Sequence, residues 1–154
     1  MIREDSKTAR ENSSRCLNNS ADTEGRQLSI TVCSFGYKAG TPPVANIVLD
    51  VRFLQNPYWV PELRPLTGLD SPVREYVLTQ SGALELLDSL TELLSKILPR
   101  VADLGIFEFS IAFGCTGGQH RSAALAEALA ERLEKIYPKF AVSRHHRELG
   151  EVQQ

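Results

Sequence analysis

Apolar and polar positions alternate along residues 27–34, with Leu28, Ile30 and Val32 set against Ser29, Thr31 and Ser34. A period of two predicts a strand there. Residues 45–51 are apolar almost without a break, which predicts a second strand covered on both faces. Between them, residues 35–43 carry enough glycine and proline to force a loop. Residues 107–113 alternate again, with Phe107, Phe109, Ile111 and Phe113 on one side, and predict the clearest strand of the chain. A last short strand is expected over residues 140–143.

A period near 3.6 replaces the period of two elsewhere. Ser71 reads as an N-cap with Pro72 at the first helical position, opening a short helix through Leu78. A long helix is predicted over residues 81–101, with Leu84, Leu87, Leu90, Leu94, Ile97 and Val101 in one stripe. Pro99 is expected to kink or end it. A third helix is predicted over residues 119–136, with Ala126, Leu129, Leu133 and Ile136 facing a core and Pro138 as its stop. Strand–helix–strand order predicts an α/β fold, a small, mostly parallel sheet flanked by helices. The link between the first two strands is short for a parallel crossover, so their mutual direction stays open.

Residues 1–26 break the pattern. They are polar throughout, with little to bury, and are read as a disordered tail ahead of one domain over residues 27–150. The whole chain of 154 residues is 42% hydrophobic and 23% charged, ordinary for a globular protein. A net charge of −2 gives no global reason to expect nucleic acid. The three cysteines, Cys16, Cys33 and Cys115, fit neither a disulfide framework nor a zinc site, and a reducing, cytoplasmic setting is expected. No apolar run is long enough to span a membrane, and no apolar leader follows the N-terminal charges.

The chemistry concentrates in Gly114-Cys115-Thr116-Gly117-Gly118-Gln119-His120-Arg121-Ser122, between the third strand and the third helix. A strand running through glycines into a helix leaves the first helical N–H groups unpaired, and the helix dipole adds positive potential. Both favour an anion. Thr116 and Ser122 add hydroxyls, Arg121 a planar fork for two phosphate oxygens, and His120 a donor or proton carrier. A tight turn alone would explain the glycines, but not this set of donors beside them. Cys115 and Arg121 also have the Cys-x5-Arg spacing of cysteine-dependent phosphatases, whose loop amides and arginine activate a thiol. Such enzymes need an acid for the leaving oxygen, and Asp50 and Asp70 are the candidates. Cys115 is expected to line the site and not to attack.

Four motifs recur together in one family: residues 35–40 (FGYKAG), 50–57 (DVRFLQNP), 63–70 (LRPLTGLD) and 114–122 (GCTGGQHRS). In order and spacing the chain resembles the C-terminal domain of the RapZ (RNase adapter, YvcJ-like) family, from about Ser29 to Leu149. The resemblance implies an α/β domain similar to a phosphofructokinase subdomain, binding glucosamine-6-phosphate and small regulatory RNA. It implies a ligand loop over Cys115, Thr116, Gly117, Gly118, His120, Arg121 and Ser122, completed by Asn56, Lys38 and Arg52. His146 and Arg147 match a further motif of the family. The P-loop pattern Gly-x-x-x-x-Gly-Lys-[Ser/Thr] is absent, so ATP or GTP binding is not implied. Tyr58 stands where the best-known members have histidine, and an acidic end from Glu148 replaces their basic one.

Other charged and aromatic residues carry two readings each. Lys38 is a phosphate contact or a solvated loop lysine. Arg52, Arg64 and Arg74 line an anion pocket or RNA face, or pair with Asp50, Glu62, Asp70 and Glu75. Tyr58 and Trp59 stack on a sugar or base, or pack in the core. His145 and His146 point to opposite sides of a strand and make a poor metal pair. The expectation is a non-catalytic sensor or adaptor for a sugar phosphate, forming a homo-oligomer, using no cofactor or metal, and communicating with small RNA or a P-loop protein. A cysteine phosphatase and a stand-alone RNA-binding module are the alternatives.

Overall fold

The computed structural model describes residues 25–150; residues 1–24 of the expected tail lie outside them. Four strands form one all-parallel sheet in the order β2-β3-β1-β4: β1 (Ser29–Gly36), β2 (Ile47–Asp50), β3 (Glu108–Cys115) and β4 (Ala141–His146). Three α-helices are described: α1 (Ser71–Leu78), α2 (Ala83–Asp103) and α3 (Arg121–Ile136).

The open question of direction resolves through topology. β2 pairs with β3 and not with β1. The chain leaving β1 turns through Tyr37–Ala39 and returns to the other end of the sheet before entering β2. An extended stretch of this length reaches that far without a crossover helix. On the way, Tyr37 and Ala45 pack over Cys33, Phe35 and Ala112, a small second core. This link takes the place a helix layer would hold there.

The main core lies on the opposite face. Ile30 and Val32 of β1 and Phe109, Ile111 and Phe113 of β3 meet Leu87, Leu94 and Leu98 of α2 and Leu125, Leu129 and Leu133 of α3. α3 packs across β1, β3 and β4 and also contacts α1 and α2. With neighbours in the sheet and in both other helices, it buries Ala123, Ala124, Ala126, Ala128 and Ala130, whose small side chains allow close approach of the backbones.

Several elements differ from expectation. β2 is an edge strand in which half-buried Ile47 and Leu49 alternate with exposed positions, so it is not covered on both faces. The N-cap of α1 is Asp70, one residue before Ser71, and the Asp70 carboxylate accepts from the Thr67 N–H instead of the helix. In α2 the inward positions are Ala83, Leu87, Leu90, Leu94 and Leu98; Leu84 is exposed because Ala83 takes its place in the first turn. The helix also runs through Pro99 to Asp103. Ile136, at the last turn of α3, projects beyond the core and is exposed.

A charged seam ties α1, α3 and β4 together. Arg74 of α1 donates both terminal nitrogens to Glu131 of α3, a partner outside the carboxylates near it in sequence. Arg144 of β4 bonds Glu134 and Glu127, and Glu127 also lies 2.8 Å from His146 Nε2. The hydrogen bond from His146, followed by attraction to Arg144, lowers the Glu127 pKa despite its burial. Arg74 and Arg144 likewise lower Glu131 and Glu134. Groups whose folded pKa is depressed stabilise the fold above their unfolded values and lose that contribution as pH falls through the folded ones. Thermal stability should therefore decline as pH drops below about 4.5, the ordinary glutamate value, with a shallower decline in Glu127→Gln. Acid melting curves that coincide for the two proteins would remove Glu127 from this account.

Candidate phosphate-binding site

The carboxyl ends of β1 and β3 lie side by side, with Gly36 in register with Cys115. The glycine loop leaves this edge. Gly114 allows it, because a Cβ there would run into the Phe35 and Tyr37 rings. Gly118 has φ +73°, a conformation that favours glycine, and packs against the backbone of Gly36. The loop then enters α3 at Arg121, two residues later than its pattern predicts. Gly68 completes the housing: its N–H donates to the Gln119 carbonyl at 2.7 Å, and it lies against the backbone of the first turn of α3.

Inside this housing Cys115 is buried. Its Sγ accepts the Gly118 N–H at 3.2 Å and lies 3.1 Å from Ser122 Oγ. His120 is the N-cap of α3 and caps nothing with its side chain. The side chain is buried, and Nε2 has no hydrogen-bond partner among the described residues. Arg121 is 4% exposed. Its Nη1 donates to the carbonyls of Arg52 (3.1 Å) and Leu54 (2.8 Å), its Nη2 to Thr116 Oγ1 (3.2 Å), and its Nε to no group among the described residues. Among the described residues no ion pair includes Arg121.

The expected site residues thus divide. Cys115, Thr116, Gly117, Gly118, His120, Arg121 and Ser122 form the loop and the helix start. Arg52 borders them through its carbonyl, while its side chain pairs with Asp50 and lies 4.1 Å above the Tyr37 ring. Lys38 donates its backbone N–H to the Thr116 carbonyl at 3.1 Å, and its side chain is exposed. Asn56 accepts the Tyr58 N–H and caps the turn Pro57–Trp59. Arg64 donates to the Tyr58 carbonyl and lies over its ring. Tyr58 and Trp59 are exposed, outside the core. His146 lies under α3 with both ring nitrogens engaged, Nδ1 at 2.7 Å from Ser34 Oγ and Nε2 at Glu127. Arg147 is fully occupied by Glu148 and the carbonyls of Gly36 and Thr41.

Sequence reasoning passed over Gly36, Gly68, Ser34 and Glu148. The only signal for the two glycines was their place in the FGYKAG and LTGLD motifs. Glu148 reads as the start of an acidic end, yet its side chain folds in to accept the Gly36 N–H at 2.9 Å. Among the described residues no cluster of three metal-ligating side chains occurs, and no helix is long and apolar enough to cross a membrane. A separate groove of about 370 Å³, lined by Ser29, Thr31, Asn46, Glu108, Phe109 and Ser110, lies toward the other end of the strands. Its lining offers a carboxylate and no cation.

Residues 28–150 match the model of the RapZ C-terminal domain. Relatives of similar sequence are a nucleotide-binding protein of Thermobifida fusca, 53% identical over 80% of this chain and 42% of its own length. Another from Anaeromyxobacter is 55% identical over 72% of this chain and 38% of its own. A third, from Leifsonia xyli, is 50% identical over 84% of this chain and 44% of its own. The chain spans less than half the length of these relatives. With the match running from the start of β1 to beyond Glu148, the chain belongs to the RapZ C-terminal domain family.

Proposed function

We propose that this domain is a non-catalytic sensor whose glycine loop binds a phosphorylated small molecule, glucosamine-6-phosphate or a related sugar phosphate. One observation carries the reading: among the described residues Arg121 is a buried cation in no ion pair, with only the more distant attraction of Asp50, and it stands at the N-terminus of α3, which no side chain caps. Burying a charge with no directly paired counter-ion is costly, and an anion at the loop amides offsets that cost. The unpartnered His120 Nε2 supplies a second donor or acceptor at the same place. The designation of the relatives as nucleotide-binding proteins also fits a phosphorylated ligand.

In this reading the domain acts in the cytoplasm as a homo-oligomer and passes ligand state to a small RNA or a P-loop protein. A saturating ligand, at about 100 times its Kd, stabilises the folded state by about 2.7 kcal/mol and should raise the melting temperature by several degrees. A panel of sugar phosphates that leaves the melting temperature unchanged sinks the proposal.

The phosphatase alternative draws on the bonded Cys115 thiol, but neither aspartate expected as its acid is free for that role. Asp50 is held ionised by the hydrogen bond from Arg52, which lowers its pKa, and Asp70 is occupied by the N–H and hydroxyl of Thr67. Cys115→Ser should therefore bind phosphate within about 3-fold of wild type, since the serine oxygen also accepts the Gly118 N–H. Aryl-phosphate turnover that disappears in this variant would reverse the choice. The RNA-binding alternative predicts a steep loss of affinity with salt.

A further inference from the structure

We propose that Glu148 is a positioning residue for the anion loop, acting through Gly36; this rests on the anion-site reading above. Glu148 lies two residues beyond β4, and its side chain is 14% exposed. Oε2 accepts the Gly36 N–H at 2.9 Å, and Oε1 receives Arg147 Nε at 2.6 Å. The same guanidinium donates to the carbonyls of Gly36 (2.8 Å) and Thr41 (2.7 Å). Arg147 and Glu148 therefore hold both polar groups of the Gly36 backbone and the far end of the loop that follows.

That grip reaches the anion loop by two contacts. A Cβ on Gly118 would stand 2.5 Å from Glu148 Oε2 and 2.6 Å from the Gly36 nitrogen, so the carboxylate and the β1 exit together form the wall against which Gly118 rests. Lys38, in the segment that Arg147 and Glu148 pin at Gly36 and Thr41, donates its N–H to the Thr116 carbonyl. The wall therefore sets where the amides from Thr116 to Gly118 point. Amides that are oriented before an anion arrives need no reordering to bind it. A carboxylate this near an anion site also repels a ligand, and its charge is balanced here by Arg147.

Two measurements on the full chain test the assignment: amide hydrogen exchange, and titration with inorganic phosphate followed by amide chemical shifts. Glu148→Ala should speed exchange at Gly36 and Lys38 by about 10-fold and weaken phosphate binding by about the same factor, the loss of one charge-assisted hydrogen bond. Glu148→Gln keeps one oxygen for Gly36 but turns its NH2 toward Arg147 Nε, so it should lie between wild type and Glu148→Ala on both readouts. Unchanged exchange in Glu148→Ala overturns the proposal. So does faster exchange with phosphate affinity at the wild-type level. If wild-type protein binds no phosphate, the anion-site reading falls by itself, and exchange alone decides whether Glu148 orders the loop. A general loss of fold in Glu148→Ala would show as faster exchange throughout the core, and the glutamine variant then decides: rescue supports the role, and equal damage overturns it.

Discussion

Gly36→Ala is expected to destabilise the domain by about 3 kcal/mol and to remove phosphate binding with it. The reason is space, not conformation. Gly36 has φ −111° and ψ 130°, ordinary extended values open to any residue. A Cβ, however, would stand 2.6 Å from the carbonyl carbon of Gly117 and 2.8 Å from both its oxygen and the Gly118 nitrogen. All three atoms are backbone, so no side-chain rotation relieves the clash. Either β1 slides against β3 or the glycine loop lifts away from the sheet, and each breaks the register that aligns Gly36 with Cys115. Gly117→Ala is the internal control, because a Cβ there meets nothing within 4 Å. It should change stability by less than about 0.5 kcal/mol, and any loss of phosphate affinity would report close approach of the ligand to that backbone. Urea unfolding of the two variants checks the pair. A wild-type midpoint for Gly36→Ala would mean that the two loops are less tightly apposed than described.

This contact shows where sequence reading stops. The periods of two and 3.6 located β1, β3, α2 and α3, because each buries one clear face and its pattern records that face. Glycines followed by Thr, His, Arg and Ser at a strand end marked the loop proposed here to bind an anion for a similar reason: local backbone and local donors would carry that chemistry. What escaped depends on partners distant in sequence. An apolar run cannot distinguish an enclosed strand from an edge strand beside a covering loop, so β2 was placed too deep. The alanines of α3 carry weak apolar signal, yet they let the helix pack closely on the sheet and on two other helices. Arg74 lies near several acidic residues in sequence and chooses Glu131, brought to it only by the packing of α1 on α3. Glu148 looked like loss of basic surface, because nothing in its neighbours reveals that the chain end turns back to Gly36.

Arg121→Ala is expected to have the widest effect of any single change: a loss of about 3 kcal/mol in stability and at least about 100-fold in phosphate affinity. The guanidinium does two things at once. Through Nη1 it holds the carbonyls of Arg52 and Leu54, and so fixes the segment after β2 that carries Asn56 and the turn Pro57–Trp59. Through Nη2 it fixes Thr116 Oγ1 in the glycine loop. Removing it leaves two carbonyls and a hydroxyl without a donor in a buried place, and each such orphan costs about 1–3 kcal/mol before water enters. It also removes the cation to which the proposed phosphate would bind. Arg121→Lys separates the two roles. The ammonium restores positive charge but is a point donor without the planar fork, so it cannot span both carbonyls and Thr116 in the same geometry. Part of the stability should return, while phosphate affinity stays well below wild type. Urea unfolding with and without phosphate measures both quantities on the same samples. Wild-type protein should be stabilised by phosphate, Arg121→Ala should not, and Arg121→Lys should respond weakly. If Arg121→Ala keeps the wild-type phosphate response, the buried cation is there only to tie two loops together, and the anion must bind elsewhere.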